Sequence, residues 1–195
     1  MQIIFASKNK GKIHEMKEIL SDFDIISSDE AGVKEDVEED GKTFEENALK
    51  KARYVAQKTG LWSMADDSGL CIEALNNEPG IYTARWAGEG ASGDDLVQHT
   101  LKKMKEIPEE KRQAFFESDV ALVSLEGKEY IFKGRVNGKI AEKPSGEALP
   151  KLPYDVLFIP KGYSKTFAEM TSEEKNQISH RGLAFQKLKE FLENL

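Results

Sequence analysis

The order of strand-like and helical patterns along the chain predicts an α/β protein. A short apolar run over residues 2–6 leads through the polar loop Ser7-Lys8-Asn9-Lys10-Gly11-Lys12 into a stretch with helical periodicity. A second helical pattern begins near Thr43, and residues 112–125 and 128–137 alternate like the strands of a β-hairpin. Strands that alternate with amphipathic helices are typical of the α/β class.

The bulk composition predicts one soluble domain over residues 1–195. Of the 195 residues, 39% are hydrophobic and 32% are charged, and a chain of this length can bury a substantial core. The net charge of −7 argues against a nucleic-acid partner, because phosphate backbones require a basic surface. A lone cysteine, Cys71, and the lack of a signal-peptide pattern or a bilayer-spanning apolar run predict a cytoplasmic protein without membrane contact.

The first loop is a candidate phosphate site. Strand, loop and helix follow one another there, and backbone amides at a helix N-terminus bind phosphates. The loop carries Lys8, Lys10 and Lys12, but its glycine spacing is not that of a Walker A motif. Taken alone this is a weak signal, since three lysines near a helix start are more often solvated than bound to a ligand.

The next segments predict an edge strand, an acidic loop and a strong helix. Ile25-Ile26 indicates the strand, and the acidic run over residues 35–40 is typical of a solvated loop. Thr43 is the predicted N-cap of the helix, Glu46 the partner in a capping box, and Gly60 the end. The predicted buried stripe of this helix consists of Phe44, Ala48, Ala52, Val55 and Ala56.

Two adjacent carboxylates, Asp66 and Asp67, stand between the apolar stretches 61–64 and 71–75. A buried carboxylate pair needs a cation or basic side chains beside it, and hard oxygen ligands suit Mg²⁺. Gly69 allows a sharp turn or a close approach to a ligand. Because Asp-Asp-Ser-Gly is also good turn chemistry, an acidic turn between two strands is the favoured interpretation of this stretch alone.

The remaining chain predicts two further helices and one short strand. A helix capped by Ser92 runs to residue 106, residues 144–153 form a loop, and residues 154–159 form a strand that ends at Pro160. Residues 167–176 are partly helical, and a closing helix begins near Arg181. On residue chemistry alone His180 is a helix cap, Cys71 is a small core residue, and the Arg85-Trp86 pair is either a cation–π contact or part of a dimer contact.

Five motifs in this order resemble the inosine triphosphate pyrophosphatase family over almost the whole chain. They are Ser7-x-Asn9-x-x-Lys12; Gly41-x-Thr43-Phe44-x-Glu46-Asn47-Ala48-x-x-Lys51-Ala52; Ala65-Asp66-Asp67-Ser68-Gly69-Leu70; Pro79-Gly80-Ile81-Tyr82-x-Ala84-Arg85; and Ala168-Glu169-Met170 with Glu174-Lys175-Asn176-x-x-Ser179-His180-Arg181. The resemblance implies Mg²⁺-dependent hydrolysis of the non-standard purine nucleoside triphosphates ITP, dITP and XTP to the monophosphate and pyrophosphate.

The resemblance also implies a fold and a set of site residues. The expected fold is a long, twisted mixed β-sheet with helices on both sides and two lobes with an active-site cleft between them, in a homodimer. The residues 7–12 and Lys51 are expected to hold the triphosphate, Glu39 and Asp67 to bind Mg²⁺, and Asp67 to act as the base. The residues expected around the nucleoside are Ser68, Leu152, Pro153, Tyr154, Asp155, Lys175, His180 and Arg181.

One departure and several alternatives remain open on the sequence. Leu152-Pro153 replaces the Phe-Gly that is usual in the family, which bears on base recognition. Neighbouring acids of the run, Glu35, Glu38 and Asp40, are alternatives to Glu39 as the metal ligand. A triphosphate sensor that does not hydrolyse its ligand, and a phosphatase with Asp66 or Asp67 as covalent nucleophile, are the alternative functions.

Overall fold

A mixed seven-stranded sheet runs through the protein, for which a computed structural model describes residues 1–147 and 151–195. The strands are β1 (Gln2–Phe5), β2 (Asp24–Ser27), β3 (Trp62–Ile72), β4 (Glu78–Pro79), β5 (Gln113–Val123), β6 (Glu129–Ile140) and β7 (Phe158–Pro160). The α-helices of the described residues are α1 (Lys10–Ile19), α2 (Phe44–Thr59), α3 (Gly93–Lys103), α4 (Ser172–Ile178) and α5 (His180–Glu193).

The strand order is β2-β1-β3-β5-β6-β7, with β4 attached to β3. Strand β1 is parallel to both β2 and β3, whereas β3, β5, β6 and β7 pair antiparallel. One core cluster joins α1 and α5 to the sheet through Met16 and Phe185, and another joins α2 through Ala48 and Ala52. The predicted α/β class and mixed sheet with helices on both sides are confirmed. The two lobes and the single domain over residues 1–195 stay predictions.

The sheet leaves a gap along one edge of β3. Strand β1 pairs with β3 only from Trp62 to Met64, and β4 pairs with it only at Cys71 and Ile72. The opposite edge is occupied by β5 from Ser63 to Ile72. Between β1 and β4 a stretch of β3 is therefore open, beside the carboxyl end of β1. Because β2 and β3 lie on either side of β1, this is a topological switch point, where open α/β sheets bind ligands.

The expected turn at Asp66–Gly69 is wrong, because β3 continues without a break through these residues. Each of them is paired with β5, from Asp66↔Val120 to Gly69↔Glu117. Pairing along the long neighbouring strand outweighs the local turn preference of the sequence. Glycine is required at position 69 by close packing, since a Cβ there would lie 2.4 Å from the carbonyl oxygen of Gly80.

The helix signals of the sequence are largely confirmed. Thr43 accepts a hydrogen bond from the amide of Glu46, and Gly60 ends α2. The expected capping box is only half formed, because the Glu46 carboxylate accepts from the Lys42 amide. Ser92 caps α3 in a reciprocal box with Asp95.

Of the other predicted elements, some are confirmed and one is shorter than predicted. The hairpin of β5 and β6 and the edge strand β2 are confirmed. The strand predicted over 154–159 is shorter, because residues 153–156 form a 3-10 turn and β7 begins at Phe158. Residues 148–150 of the predicted loop 144–153 lie outside the described residues. Across the described residues, none of the helices has the length and apolar character that a membrane crossing requires.

Candidate active site

A cleft of about 990 Å³ opens at the gap beside β3. This volume is at the upper end of the range for small-molecule sites. Most of the site residues expected from the sequence line it, namely Ser7, Lys8, Asn9, Lys12, Glu39, Lys51, Asp67, Ser68, Leu152, Pro153, Tyr154, Asp155, His180 and Arg181. Three others lie outside its wall: Lys10 is exposed, Gly11 is buried in the first turn of α1, and Lys175 is buried against Asp155.

The alternation of side chains along β3 sends Asp66 and Asp67 to opposite faces of the sheet. Asp66 points toward α1 and α5, where it meets Lys12 and Arg181. Asp67 points toward α2, where it meets Asn47 and Lys51. The two neighbouring carboxylates therefore have separate surroundings, and only Asp67 belongs to the wall of the cleft.

On the α2 side, Asp67 is held by two residues one turn apart on the helix. Asn47 donates a hydrogen bond of 3.0 Å to Oδ2, and the Lys51 ammonium lies 3.6 Å from Oδ1. Lys51 also contacts Glu39 at 2.6 Å and donates to the Asp66 carbonyl oxygen at 2.8 Å. Burial raises the pKa of Asp67 above its usual value, although Lys51 and Lys12 act in the opposite direction. Such a carboxylate is a stronger proton acceptor than one in water.

On the opposite side, Asp66 is enclosed by positive charge. Lys12 lies 3.0 Å from Oδ1, and Nε of Arg181 donates to Oδ2 at 3.1 Å. Burial alone would raise the pKa of Asp66, but Lys12, Arg181 and Lys51 outweigh it and hold that pKa well below its usual value. Asp66 is therefore a permanent anion that orients Lys12 and Arg181, and its 1% exposure makes it unsuitable as a nucleophile.

Glu15 of α1 is a site residue that the sequence reasoning missed. Its buried carboxylate joins Lys175, at 2.6 Å, to Arg181, and Lys175 in turn contacts Asp155. Arg181 is thus shared among Glu15, Asp66 and Ser68, whose hydroxyl accepts from Nη2 at 3.0 Å. A signal was present, because Glu15 is four residues before Ile19 and falls on the apolar stripe of the helix.

The loop before α1 has the local structure of a phosphate site. Asn9 caps the helix, and its side-chain oxygen accepts from the amides of Gly11 and Lys12 at 3.0 and 3.2 Å. Lys12 points at Asp66, whereas Lys8 points the other way and contacts Asp36 at 2.8 Å. The helix dipole and these lysines give this end of the cleft a positive potential that favours an anion.

The other end of the cleft is more apolar. Leu152 and Pro153 line it beside Tyr154, whose hydroxyl donates to the Thr83 carbonyl oxygen at 2.7 Å. His180 stacks on Phe116 with ring centroids 4.6 Å apart, and its Nδ1 has no hydrogen-bond partner among residues 1–147 and 151–195. Burial, followed by the charges of Arg181 and Lys175, holds the pKa of His180 well below its usual value, so the imidazole is neutral at pH 7.

His180 is the first residue of α5, and Ser179 is the cap, so the helix-cap interpretation of His180 is wrong. The start of α5 packs directly on β6, where a Cβ at Gly134 would lie 2.0 Å from the His180 carbonyl oxygen. Arg85 does not form the cation–π contact with Trp86, because its guanidinium lies over the ring of Tyr82 at 5.1 Å and donates to the Glu39 carbonyl oxygen at 3.3 Å, and its part in a dimer contact stays a prediction. Trp86 packs on His99 instead. Cys71 is buried, and burial raises its pKa to about 11, as suits a core thiol.

The described residues contain no group of three or more His, Cys, Asp or Glu side chains arranged to hold a metal ion. Glu39 and Asp67 nevertheless contact the same ammonium, that of Lys51. Two carboxylates are a common protein contribution to a Mg²⁺ site, where substrate phosphates and water complete the coordination. The donor set therefore fits Mg²⁺. Asp40 pairs with Lys50 on the surface instead, and Glu38 is exposed.

The fold and the cleft together define an α/β protein with a charged, ligand-sized site at the switch point of its sheet. The model of the Ham1 family matches residues 3–191, and the chain belongs to that family. A protein of Clostridium perfringens named dITP/XTP pyrophosphatase is 45% identical, with 100% of this chain and 98% of the relative covered. One of the same name from Bacillus subtilis is also 45% identical, with 98% and 97% covered.

Solved structures agree with this assignment. The Ham1 protein of Staphylococcus aureus superimposes with a TM-score of 0.88 at 40% identity, covering 100% of this chain and 99% of that one. A HAM1 protein from Coxiella burnetii gives a TM-score of 0.89 at 39% identity, with full coverage of both chains. The family resemblance deduced from the five sequence motifs is confirmed.

Proposed function

We propose that this protein hydrolyses non-standard purine nucleoside triphosphates, namely ITP, dITP and XTP, to the nucleoside monophosphate and pyrophosphate. The observation that carries the proposal is the position of Asp67, a carboxylate of raised pKa in a cleft that also presents Lys12, Lys51 and Glu39. The relatives named dITP/XTP pyrophosphatase support the same reaction.

The residues of the cleft have distinct roles in this proposal. The loop 7–12 binds the triphosphate through Lys12 and the positive end of the α1 dipole, and Lys51 lies on the other side of β3 next to Asp67. Asn47 fixes Oδ2 of Asp67, which leaves the carboxylate one orientation toward the cleft. Positioning and charge stabilisation of this kind supply most of the catalysis in phosphoryl-group chemistry.

The chemical step requires one proton transfer. Asp67 accepts a proton from water as the water oxygen bonds to the α-phosphorus. The bond between the α-phosphorus and the oxygen that bridges to the β-phosphorus breaks, and its electron pair leaves with pyrophosphate. Lys12 and Lys51 stabilise the added negative charge, and no covalent enzyme intermediate is needed.

Glu39 and Asp67 are the residues that would hold Mg²⁺. A bound Mg²⁺ would neutralise phosphate charge and help to align the attacking water. Lys51 would then act beside the metal as the second cation of this wall, since it contacts both carboxylates.

Base selection is proposed for the end of the cleft with His180 and Arg181. Hypoxanthine and xanthine present O6 as an acceptor and N1–H as a donor, whereas adenine presents the opposite pattern at this edge. Arg181 has three protein partners and two N–H groups beyond those three bonds, and His180 is neutral with an unused Nδ1 in the described structure. A buried site with hydrogen-bonding groups rejects a mismatched analogue strongly.

Two further properties belong to the proposal. The family resemblance supports a homodimer, and the lone Cys71 supports a reducing, cytoplasmic location. Sedimentation of the purified chain tests the first, and fractionation of cells that express it tests the second.

Product analysis tests the proposed reaction. Purified protein is incubated with ITP, dITP, XTP, ATP and GTP, with and without Mg²⁺, and the phosphate products are separated. We expect pyrophosphate and monophosphate from ITP, dITP and XTP, only with Mg²⁺, and much slower turnover of ATP. Orthophosphate would indicate a phosphatase instead, and tight binding without turnover would indicate a sensor.

A further inference from the structure

Residues 35–40, here called the acidic strap, run along the wall of the cleft and are tied down by lysines. Four carboxylates of the strap form ion pairs with lysines of the phosphate loop and α2: Glu35–Lys58 at 3.3 Å, Asp36–Lys8 at 2.8 Å, Glu39–Lys51 at 2.6 Å and Asp40–Lys50 at 2.6 Å. The strap thus contributes to the wall of the cleft, although most of its carboxylates are exposed as its composition suggests.

The lysines of the cleft differ in how firmly their carboxylate partners are held. Lys12 pairs with Asp66, whose side chain has no exposure, and separating such a buried pair is strongly unfavourable. Lys51 pairs with Glu39, whose side chain is 32% exposed. Lys8 pairs with Asp36, whose side chain is 89% exposed, and an exposed pair of this kind is weak. Of these three lysines, Lys8 is therefore the one that most easily changes partners.

The contacts of Lys8 and of the next residue show which parts of the cleft each side chain faces. The next residue, Asn9, reaches toward the nucleoside end, where its side-chain amide lies 3.4 Å from the Lys151 carbonyl oxygen beside Leu152. Lys8 reaches toward the strap, where its ammonium also donates to the Lys34 carbonyl oxygen at 2.5 Å. The two neighbouring side chains of the phosphate loop therefore point in different directions, Asn9 toward the segment at Leu152 and Lys8 toward the strap.

We infer that Asp36 and the terminal phosphate of a triphosphate compete for the ammonium of Lys8. Through this competition the Lys8–Asp36 pair distinguishes ligands by the length of their phosphate chain. This inference rests on the proposed function, in which the nucleoside lies near His180. A triphosphate is long enough to displace Asp36 and gain the contact with Lys8. The monophosphate product does not reach Lys8, and Asp36 then returns to it and favours product release.

Three substitutions test the competition. Asp36→Asn removes the competing charge, Lys8→Met removes the ammonium, and Asp29→Asn is the matched control, because Asp29 is an exposed aspartate near Lys8 without a direct contact to it. The probe is inorganic tripolyphosphate, titrated calorimetrically without added metal. Turnover of ITP and inhibition by IMP are measured in parallel, and melting curves verify that each variant is folded.

We expect Asp36→Asn to bind tripolyphosphate about two- to fivefold more tightly, and to lower KM for ITP by a similar factor. Inhibition by IMP should stay within about 1.5-fold of the unmodified protein, and Asp29→Asn should behave like the unmodified protein because its charge acts only at a distance. In the Lys8→Met background, Asp36→Asn should have no further effect, which is the signature of a direct coupling.

Equal effects of Asp36→Asn and Asp29→Asn would overturn the inference, as would an equal gain in affinity for IMP and tripolyphosphate. Weaker binding in Asp36→Asn would also overturn it, since Asp36 would then assist the ligand. The calorimetric measurement needs no turnover. A protein that shows the coupling but does not hydrolyse ITP would refute the proposed function alone.

Discussion

Asp66 and Asp67 are adjacent in sequence and opposite in surroundings. Asp66 lies between Lys12 and Arg181 and is 1% exposed, whereas Asp67 lines the cleft beside Asn47 and Lys51. The pKa of Asp66 is held below its usual value, whereas burial raises the pKa of Asp67. The neighbouring groups, not the residue type, therefore decide whether each carboxylate is enclosed as a structural anion or lines the cleft with a raised pKa.

The elements that pack behind Asp66 and Asp67 also differ. The Asp66 side joins α1 and α5 through a closed network of Glu15, Lys175 and Arg181, which is buried throughout. The Asp67 side joins α2 to the acidic strap and remains open to the cleft. The Asp66 face therefore carries the more deeply buried ion-pair network, although Lys12, His180 and Arg181 of that face also line the cleft.

The largest effect is expected from Asp66→Asn. This change leaves Lys12 and Arg181 buried without their shared carboxylate, so we expect the free energy of unfolding to fall by about 3–5 kcal/mol. Urea unfolding measures it. Asp29→Asn, the same change at an exposed site, should leave the unfolding midpoint unaltered. An unaltered midpoint in Asp66→Asn would refute the supporting role.

A substitution on the Asp67 side of β3 should weaken metal binding instead of the stability of the fold. Glu39→Gln removes one of two proposed metal ligands, and we expect the Mg²⁺ concentration for half-maximal activity to rise by about 10- to 100-fold. Direct Mn²⁺ binding measured by electron paramagnetic resonance should weaken in parallel. If Glu38→Gln produced this effect and Glu39→Gln did not, the assignment within the strap would be wrong.

His180 lies on the Asp66 side of β3 and yet lines the cleft. His180→Phe keeps an aromatic ring on Phe116 but removes Nδ1, so we expect the preference for ITP over ATP in kcat/KM to fall by roughly tenfold, the scale of one lost hydrogen bond. Arg181→Ala is a poorer test, because it also leaves Glu15 and Asp66 without a partner. An unchanged preference would place base recognition elsewhere.

The smallest effect is a pH dependence of stability. Because the pKa of Asp67 is raised in the folded state, its charged form opposes folding, and this cost is present above the folded pKa and disappears below the unfolded value of about 3.9. Asp67→Asn should therefore be more stable than the unmodified protein at pH 7, with a difference that vanishes below about pH 4. Urea unfolding at several pH values measures this, and a difference independent of pH would contradict it.

Local signals predicted the parts of the fold that depend on local chemistry. Thr43 and Gly60 bound α2 as expected, and the alternation around Glu126-Gly127 predicted the hairpin. The turn at Asp66–Gly69 failed because pairing with β5, more than forty residues away, decides the backbone there. The turn propensity of a short segment contains no information about such long-range strand pairing.

The sequence motifs identified most of the residues that line the cleft, but not the contacts among them. Lys12, Lys51 and Asp67, which belong to three different sequence motifs, line one cleft, as expected for a functional site. The network through Glu15 was missed, because an acid on a helix reads as solvated unless its tertiary partners are known. Which face of β3 each aspartate takes also depends on β3 being one continuous strand.

Asp67→Asn tests the central distinction most directly, when turnover and stability are measured on the same protein. The substitution keeps the shape and removes the proton acceptor, so kcat for ITP should fall by about 100-fold or more, the scale of a lost general base. The free energy of unfolding at pH 7 should be higher than that of the unmodified protein. Near-normal turnover, or a loss of stability as large as that of Asp66→Asn, would contradict the division of roles between the two aspartates.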